Sequence, residues 1–181
     1  EKARTGEIRN SKTLPAVDLW RKMLTMLFET GHPWITFKDP INVRSPQQHV
    51  GVVHSSNLCT EITLNTNDTE VAVCNLASVA LNSFVVMPKA PGQAPTYDFK
   101  ALYDIVFQMT RNLNRVIDVN YYPIPEAQRS NLRHRPIGLG VQGLADTFFM
   151  MRFPFESPEA AKLNRDIFET IYFAACSSSN E

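Results

Sequence analysis

The run Pro136-Ile137-Gly138-Leu139-Gly140-Val141-Gln142-Gly143, passing into Leu144-Ala145-Asp146, has two readings that lead to different folds. As G-x-G-x-x-G ahead of a helix, it would open a dinucleotide-binding unit with phosphates on the helix N-terminus. That reading needs a buried apolar strand before the glycines, and the residues found there are Arg133-His134-Arg135-Pro136. It also needs an acidic residue at a strand end about twenty positions on, whereas Glu159 and Asp166 fall in a helical pattern. The glycines are therefore read as backbone packing at a strand-to-helix turn, with a helix over Leu144–Met151.

Working outward, Ser157 is an N-cap and Pro158 a first helical residue, predicting a last helix to about Ala175. Upstream, Phe99, Leu102, Ile105, Val106, Met109, Leu113, Val116 and Ile117 form one side of an amphipathic helix over Tyr97–Val119 with Asp98 as candidate N-cap. Tyr121-Tyr122-Pro123-Ile124-Pro125 ends it, and the paired tyrosines read as an aromatic plug rather than a radical-hopping pair. Pro88–Pro95 reads as a loop and Ala77–Val86 as a short buried helix. Val71-Ala72-Val73-Cys74 is β-rich, and Asn65-Thr66-Asn67-Asp68 is turn chemistry. Val52-Val53-His54 reads as extended, Asp39–Gly51 as a long loop, and Trp34-Ile35-Thr36-Phe37 as a short strand. Pro15–Thr30 has helical periodicity and stops at Gly31, with a polar loop over Glu1–Thr13 before it. Helices alternating with β-rich runs predict an α/β fold with a largely parallel sheet, of a kind that a barrel can contain.

At 181 residues the chain has the length of one domain. Eighteen basic and eighteen acidic residues announce no attraction to nucleic acid or to a membrane surface. No apolar run approaches a bilayer span. Three cysteines without a framework spacing fit a reducing compartment, with cytosol as the expectation. Both ends are expected to be cut from something larger. His32 and His49 lack ligand-like neighbours, and Cys59 and Cys74 lack zinc spacing, so no metal site is expected. Asn67-Asp68-Thr69 is read as a chance match to a glycosylation acceptor.

The chemistry-bearing stretch is Ser55-Ser56-Asn57-Leu58-Cys59-Thr60-Glu61-Ile62. If it is extended, Asn57, Cys59 and Glu61 project to one side. A carboxylate beside a thiol disfavours the thiolate, so ordinary nucleophilic catalysis fits poorly. Hydrogen-atom transfer does not need a thiolate. A sulfur radical could take a hydrogen atom from a hydroxyl-bearing carbon while the carboxylate takes the hydroxyl proton and the amide holds a neighbouring oxygen. On composition alone, Cys59 reads as a small buried hydrophobe and Glu61 as a surface charge. Cys74 reads as core or as one thiol of a redox pair needing a partner within disulfide reach. Cys176 reads as a packing residue.

Through Ser56-Asn57-Leu58-Cys59-Thr60-Glu61-Ile62 and Val71-Ala72-Val73-Cys74-Asn75-Leu76-Ala77-Ser78, the chain closely resembles the large (α) subunit of class I ribonucleotide reductase, in the motif style of the diphosphate-reducing class Ia type. The match continues in Arg111-Asn112-Leu113-Asn114, Asn120-Tyr121-Tyr122-Pro123, Arg133-His134-Arg135-Pro136-Ile137-Gly138, Gly143-Leu144-Ala145-Asp146 and Phe153-Pro154-Phe155-Glu156-Ser157. The resemblance implies that residues 1–181 are a single partial domain, the middle portion of a ten-stranded α/β barrel, with Cys59 at the tip of a central finger loop. It implies that Cys59 becomes a transient thiyl radical that takes the ribose 3′ hydrogen. Glu61 would act as base toward the 3′ hydroxyl, Asn57 would hydrogen-bond the sugar, and Cys74 would be half of the dithiol that reduces the 2′ position.

By the same resemblance no cofactor binds within this chain, and a metal-containing small (β) subunit supplies the radical. ATP and dNTP effectors bind elsewhere, thioredoxin or glutaredoxin restores the dithiol, and the full large subunit is a cytoplasmic homodimer. The ATP cone, the C-terminal tail with its shuttle cysteines, and the partner of Cys74 fall outside these residues, so the chain is expected to be inactive alone. Two alternatives stand beside this one: an adenosylcobalamin-dependent ribonucleotide reductase, and a non-catalytic α/β scaffold piece.

Overall fold

The computed structural model describes residues 2–8 and 10–181, in two compact units that divide between Asn65 and Thr66. In the first unit, α1 (Ala16–Thr30) follows Pro15 and ends at Gly31, which turns left-handed at φ 75° and sends its N–H to the Leu27 carbonyl at 2.9 Å. None of the α1 residues is buried, so Trp20, Met23 and Leu24 stay exposed. Residues Trp34 to Phe37 form no strand, and part of the expected loop over Asp39–Gly51 is helical: α2 spans Lys38–Arg44. Pro40 is tolerated there because first-turn N–H groups have no intrahelical partner, and Asp39 and Arg44 sit at the ends the helix dipole favours. Gln48 Nε2 donates to the Asn42 and Val43 carbonyls, at 2.9 Å each, satisfying the far end of α2.

Val52-Val53-His54, which reads as extended, lies in no sheet. The Asn42 side chain serves Val53 as a strand partner would. Its Oδ1 accepts the Val53 N–H at 2.9 Å and its Nδ2 donates to the Val53 carbonyl at 2.8 Å, while the Val53 side chain is buried. This amide fixes the run that leads to Asn57.

The second unit is built on β1 (Asn75–Ala80) and β4 (Ile137–Gln142), paired in parallel from Asn75↔Ile137 to Ala80↔Gln142. β1 starts where the expected β run Val71-Ala72-Val73-Cys74 stops, and that run is irregular instead. The expected helix over Ala77–Val86 is the rest of β1, a 3₁₀ turn (Leu81–Phe84) and β2 (Val85–Val86). Short apolar runs do not distinguish strand from helix, and here pairing with β4 meets the backbone while Val79 and Leu81 enter the core. β2 pairs antiparallel with β3 (Thr96–Tyr97), closing the loop that carries Pro88, Pro91 and Pro95.

α3 (Phe99–Val119) packs on both strands of the parallel pair, and its N-cap is Asp98, whose Oδ1 accepts the Ala101 N–H at 2.9 Å. Leu102, Val106, Leu113 and Ile117 are buried at helical spacing, while Ile105 and Val116 of the expected apolar side are exposed. α6 (Pro158–Asn180) lies along α3 and buries Ala160, Leu163, Ile167, Ile171 and Ala174 against it. It outruns the expected end near Ala175 because Ser178 is also in the seam, its Oγ donating to the Phe107 carbonyl at 3.0 Å. α4 (Pro125–His134) was not expected: Pro125 ends the preceding connection and also opens this helix, a position where its missing N–H costs nothing. Burying Leu102, Ile117 and Ile167 completely stabilises the fold by about 1.5–3 kcal/mol each.

Within the glycine run, the packing role read from the sequence at the strand-to-helix turn falls to Gly143. A Cβ on Gly138 would stand 2.6 Å from Leu76 Cδ2, the tip of a half-exposed side chain that can move aside. Gly143, between β4 and α5 (Leu144–Met151), has φ 75°, and a Cβ there would meet Asn82 Oδ1 at 2.5 Å. Gly143→Ala is expected to cost about 1–2 kcal/mol from backbone strain alone, whereas Gly140→Ala meets its nearest neighbour at an ordinary 3.6 Å. Ile167→Ala is expected to cost about 2–5 kcal/mol. Urea unfolding of the three variants checks this order.

Candidate active site

The loop over Ser55–Ile62 closes on itself through Asn57. Thr60 donates its N–H to the Asn57 carbonyl at 3.1 Å, and Thr60 has φ 67°, which turns the chain sharply. The Asn57 side chain then ties both sides together: Nδ2 donates to Glu61 Oε1 at 2.7 Å and Oδ1 accepts the Ile62 N–H at 3.1 Å. Ser56 Oγ donates to the Ile62 carbonyl at 2.6 Å, below the turn. Residues two apart share a face only in extended chain, so the expected alternation of Asn57, Cys59 and Glu61 is corrected. Asn57 and Glu61 meet because the chain turns between them, and Cys59 sits in the turn with Leu58, both exposed.

Cys59 is therefore not the small buried hydrophobe that composition suggested. No hydrogen bond joins its thiol to Asn57 or Glu61 among the described residues. An open cavity of about 470 Å³ borders the loop, lined by Trp34, Lys38, His54, Ser55, Asn57 and Thr60 among others. His32 stacks on Trp34 with ring centroids 6.0 Å apart and lines the same cavity.

In the second unit, Cys74 is exposed and stands immediately before β1, between two buried polar anchors that the sequence reading missed. One is Glu70, whose side chain is 2% exposed. Arg133 Nη1 donates to its Oε1 at 2.8 Å, and His134 Nε2 lies 3.2 Å from its Oε2. These bonds, His134's first, hold the Glu70 carboxyl below its ordinary value of 4.5, against the opposing effect of burial. The other anchor is Asn75, whose Nδ2 donates to Asn131 Oδ1 at 2.7 Å and to the Pro136 carbonyl at 2.8 Å. Asn131 Nδ2 donates to Tyr122 Oη at 2.6 Å, and that hydroxyl donates to the Ile117 carbonyl at 2.6 Å.

Tyr122 thus closes the end of α3 as expected of a plug, whereas Tyr121 is exposed. The missed signal was one of separation: Glu70 and Arg133, or Asn75 and Asn131, are too far apart in sequence for any periodicity to link them. Cys176, read as packing, is exposed on α6. Among the described residues no cluster of His, Cys, Asp and Glu could hold a metal ion, and no helix is long and apolar enough to cross a membrane.

The family model for the ribonucleotide reductase barrel domain matches residues 1–181. The ribonucleoside-diphosphate reductase large chain of Schizosaccharomyces pombe is 55% identical over 175 residues, which are 97% of this chain and 21% of that protein. The large subunit of Caenorhabditis elegans is 53% identical over 176 residues, which are 97% of this chain and 22% of that protein. Among solved structures, the Actinobacillus ureae class Id ribonucleotide reductase alpha subunit matches with TM-score 0.73 and 30% identity, over 90% of this chain and 31% of that one. The chain spans about a fifth of the length of these curated relatives.

A carboxylate whose folded-state value is lowered stabilises the fold above its unfolded value, and that contribution is lost as pH falls through the lowered one. Glu70→Gln should therefore lower the melting temperature at neutral pH. The gap from the unmodified protein should close as pH falls from about 4.5 through the lowered value. Thermal unfolding between pH 7 and pH 3 checks both the sign and the window.

Proposed function

The chain belongs to the ribonucleotide reductase barrel-domain family, and from that membership we propose that it supplies the catalytic loop of a ribonucleoside-diphosphate reductase large subunit. The observation that carries this reading is the Asn57–Glu61 hydrogen bond across the base of a turn that holds Cys59. An amide and a carboxylate fixed side by side suit the two oxygens of a vicinal diol, and the exposed thiol between them suits the carbon-bound hydrogen. In the whole subunit we place this turn as the finger loop of a ten-stranded α/β barrel.

The reaction follows from these groups. The Cys59 sulfur, as a radical, takes the hydrogen atom from ribose C3′ while Glu61 accepts the 3′ hydroxyl proton and Asn57 holds the sugar. The 2′ oxygen leaves as water. Two thiols, Cys74 and a second cysteine of the same subunit, supply two electrons and two protons and become a disulfide. Cys59 then returns its hydrogen atom to C3′ and Glu61 its proton, so one ribose and two thiols give one deoxyribose, one disulfide and one water. A metal-containing small subunit is the radical source, and thioredoxin or glutaredoxin restores the dithiol. ATP and dNTP effectors act outside these residues, on a cytoplasmic homodimer.

In the full-length subunit, Cys59→Ser is expected to lower turnover by about 10³-fold or more, with nucleoside diphosphate still bound. Full activity in that variant would refute the assignment. Glu61→Gln should lower kcat by about 10²–10⁴-fold. Cys74→Ser should fail to sustain repeated turnover with a dithiol reductant. Product formation under steady-state and single-turnover conditions separates the three variants.

A further inference from the structure

The chain that carries Cys74 is held on both sides of the thiol by one short helix. Before the cysteine, the Arg129 guanidinium donates to the Thr69 carbonyl at 2.8 Å, the Val71 N–H donates to the Glu126 carbonyl at 3.2 Å, and Glu70 is bound by Arg133 and His134. After it, the Asn75 and Asn131 amides bond each other, and both are buried. Every one of these partners lies on α4, and α4 is fixed to α3 by Tyr122 and by Arg135. The Arg135 guanidinium bonds the Asp118 carboxylate at 2.8 and 3.0 Å and the Asn114 carbonyl at 2.6 Å. Cys74 itself precedes the β1–β4 ladder, which starts at Asn75↔Ile137, so its position is set by its neighbours.

We propose that α4 is a clasp that positions the Cys74 thiol for its redox step, with Asn131 and Tyr122 as the positioning residues. This rests on the reading of Cys74 as one half of the reducing dithiol. Forming the disulfide while C2′ is reduced requires the sulfur to meet both the sugar and its partner thiol. A misplacement of about 1 Å in such an arrangement costs on the order of 10²-fold in rate. Asn131 bears directly on this because its amide joins the strand that follows Cys74 to the end of α3, and a satisfied buried polar network permits one arrangement. None of these side chains is assigned to contact substrate. Their effect is on where the sulfur sits.

The test uses the full-length large subunit with its small subunit, a nucleoside diphosphate and a dithiol reductant. Asn131→Leu is expected to lower kcat by about 10–100-fold while KM for the nucleotide stays within twofold. The Cys74 disulfide formed in one turnover of pre-reduced enzyme, mapped by differential alkylation and mass spectrometry, should fall in parallel. Asn131→Asp keeps an acceptor for the Asn75 amide and should recover part of the loss. Tyr122→Phe removes one hydroxyl, leaves the ring in place, and should lower disulfide formation severalfold even if Asn131→Leu does not fold. Wild-type disulfide yield and kcat in folded Asn131→Leu or Tyr122→Phe, or equal losses in Asn131→Leu and Asn131→Asp, would overturn the proposal. If the unsubstituted enzyme forms no Cys74 disulfide during turnover, the reading of Cys74 fails first, and the clasp falls with it.

Discussion

An amide taken out of water must have its donors and acceptors met, and at Asn131 that requirement ties the second unit together. Its oxygen accepts from Asn75 at the head of β1, and its nitrogen donates to Tyr122 below the end of α3. Asn75 in turn reaches the Pro136 carbonyl at the entry to β4. Two strands and two helices thus share one fully satisfied polar junction. Leaving any member unpaired costs about 1–3 kcal/mol, so the junction tolerates only one alignment of β1 against β4. The apolar seam of α3 and α6 supplies mainly cohesion, since Leu102, Val106, Ile167 and Ile171 are held by shape and the Ser178 hydroxyl bond to the Phe107 carbonyl is its directional link.

What was legible in the sequence follows from the range of each signal. The stop of α1 at Gly31, the two ends of α5 and the Asp98 and Ser157 caps rest on a few consecutive residues, and the structure has them where the sequence predicts them. α2 and α4 each carry a proline in the first turn, and the sequence there reads as the long loop Asp39–Gly51 and as the helix end at Pro125, so neither helix is predicted. The β run was misplaced because Val71-Ala72-Val73 has strand propensity, yet the ladder begins at Asn75, where β4 provides a partner. Pairing depends on residues far along the chain, which no local pattern reveals.

The site shows the same division. The resemblance implies roles for Asn57, Cys59 and Glu61, but the geometry of the loop that carries them was not readable. Alternation in an extended chain would put Asn57, Cys59 and Glu61 side by side, whereas the positive φ of Thr60 folds the chain so that the amide and carboxylate meet without the thiol. Thr60 is a residue for which that conformation is uncommon, so nothing in its identity announces the turn. Asn42, which holds Val53 from α2, is equally silent in sequence, since it reads as one polar residue in a polar stretch.

The parallel pair of β1 and β4 has a further consequence. Each strand has one hydrogen-bonded strand neighbour among the described residues, so the row of backbone donors and acceptors on its other edge lies outside any ladder. Over six residues such a row is about 20 Å long. An open row of this kind recruits whatever extended chain comes near it, whether a legitimate neighbour or another unfolded molecule. The pair is therefore a seed for a wider sheet, and the clasp that fixes its alignment also fixes the phase in which any added strand must join.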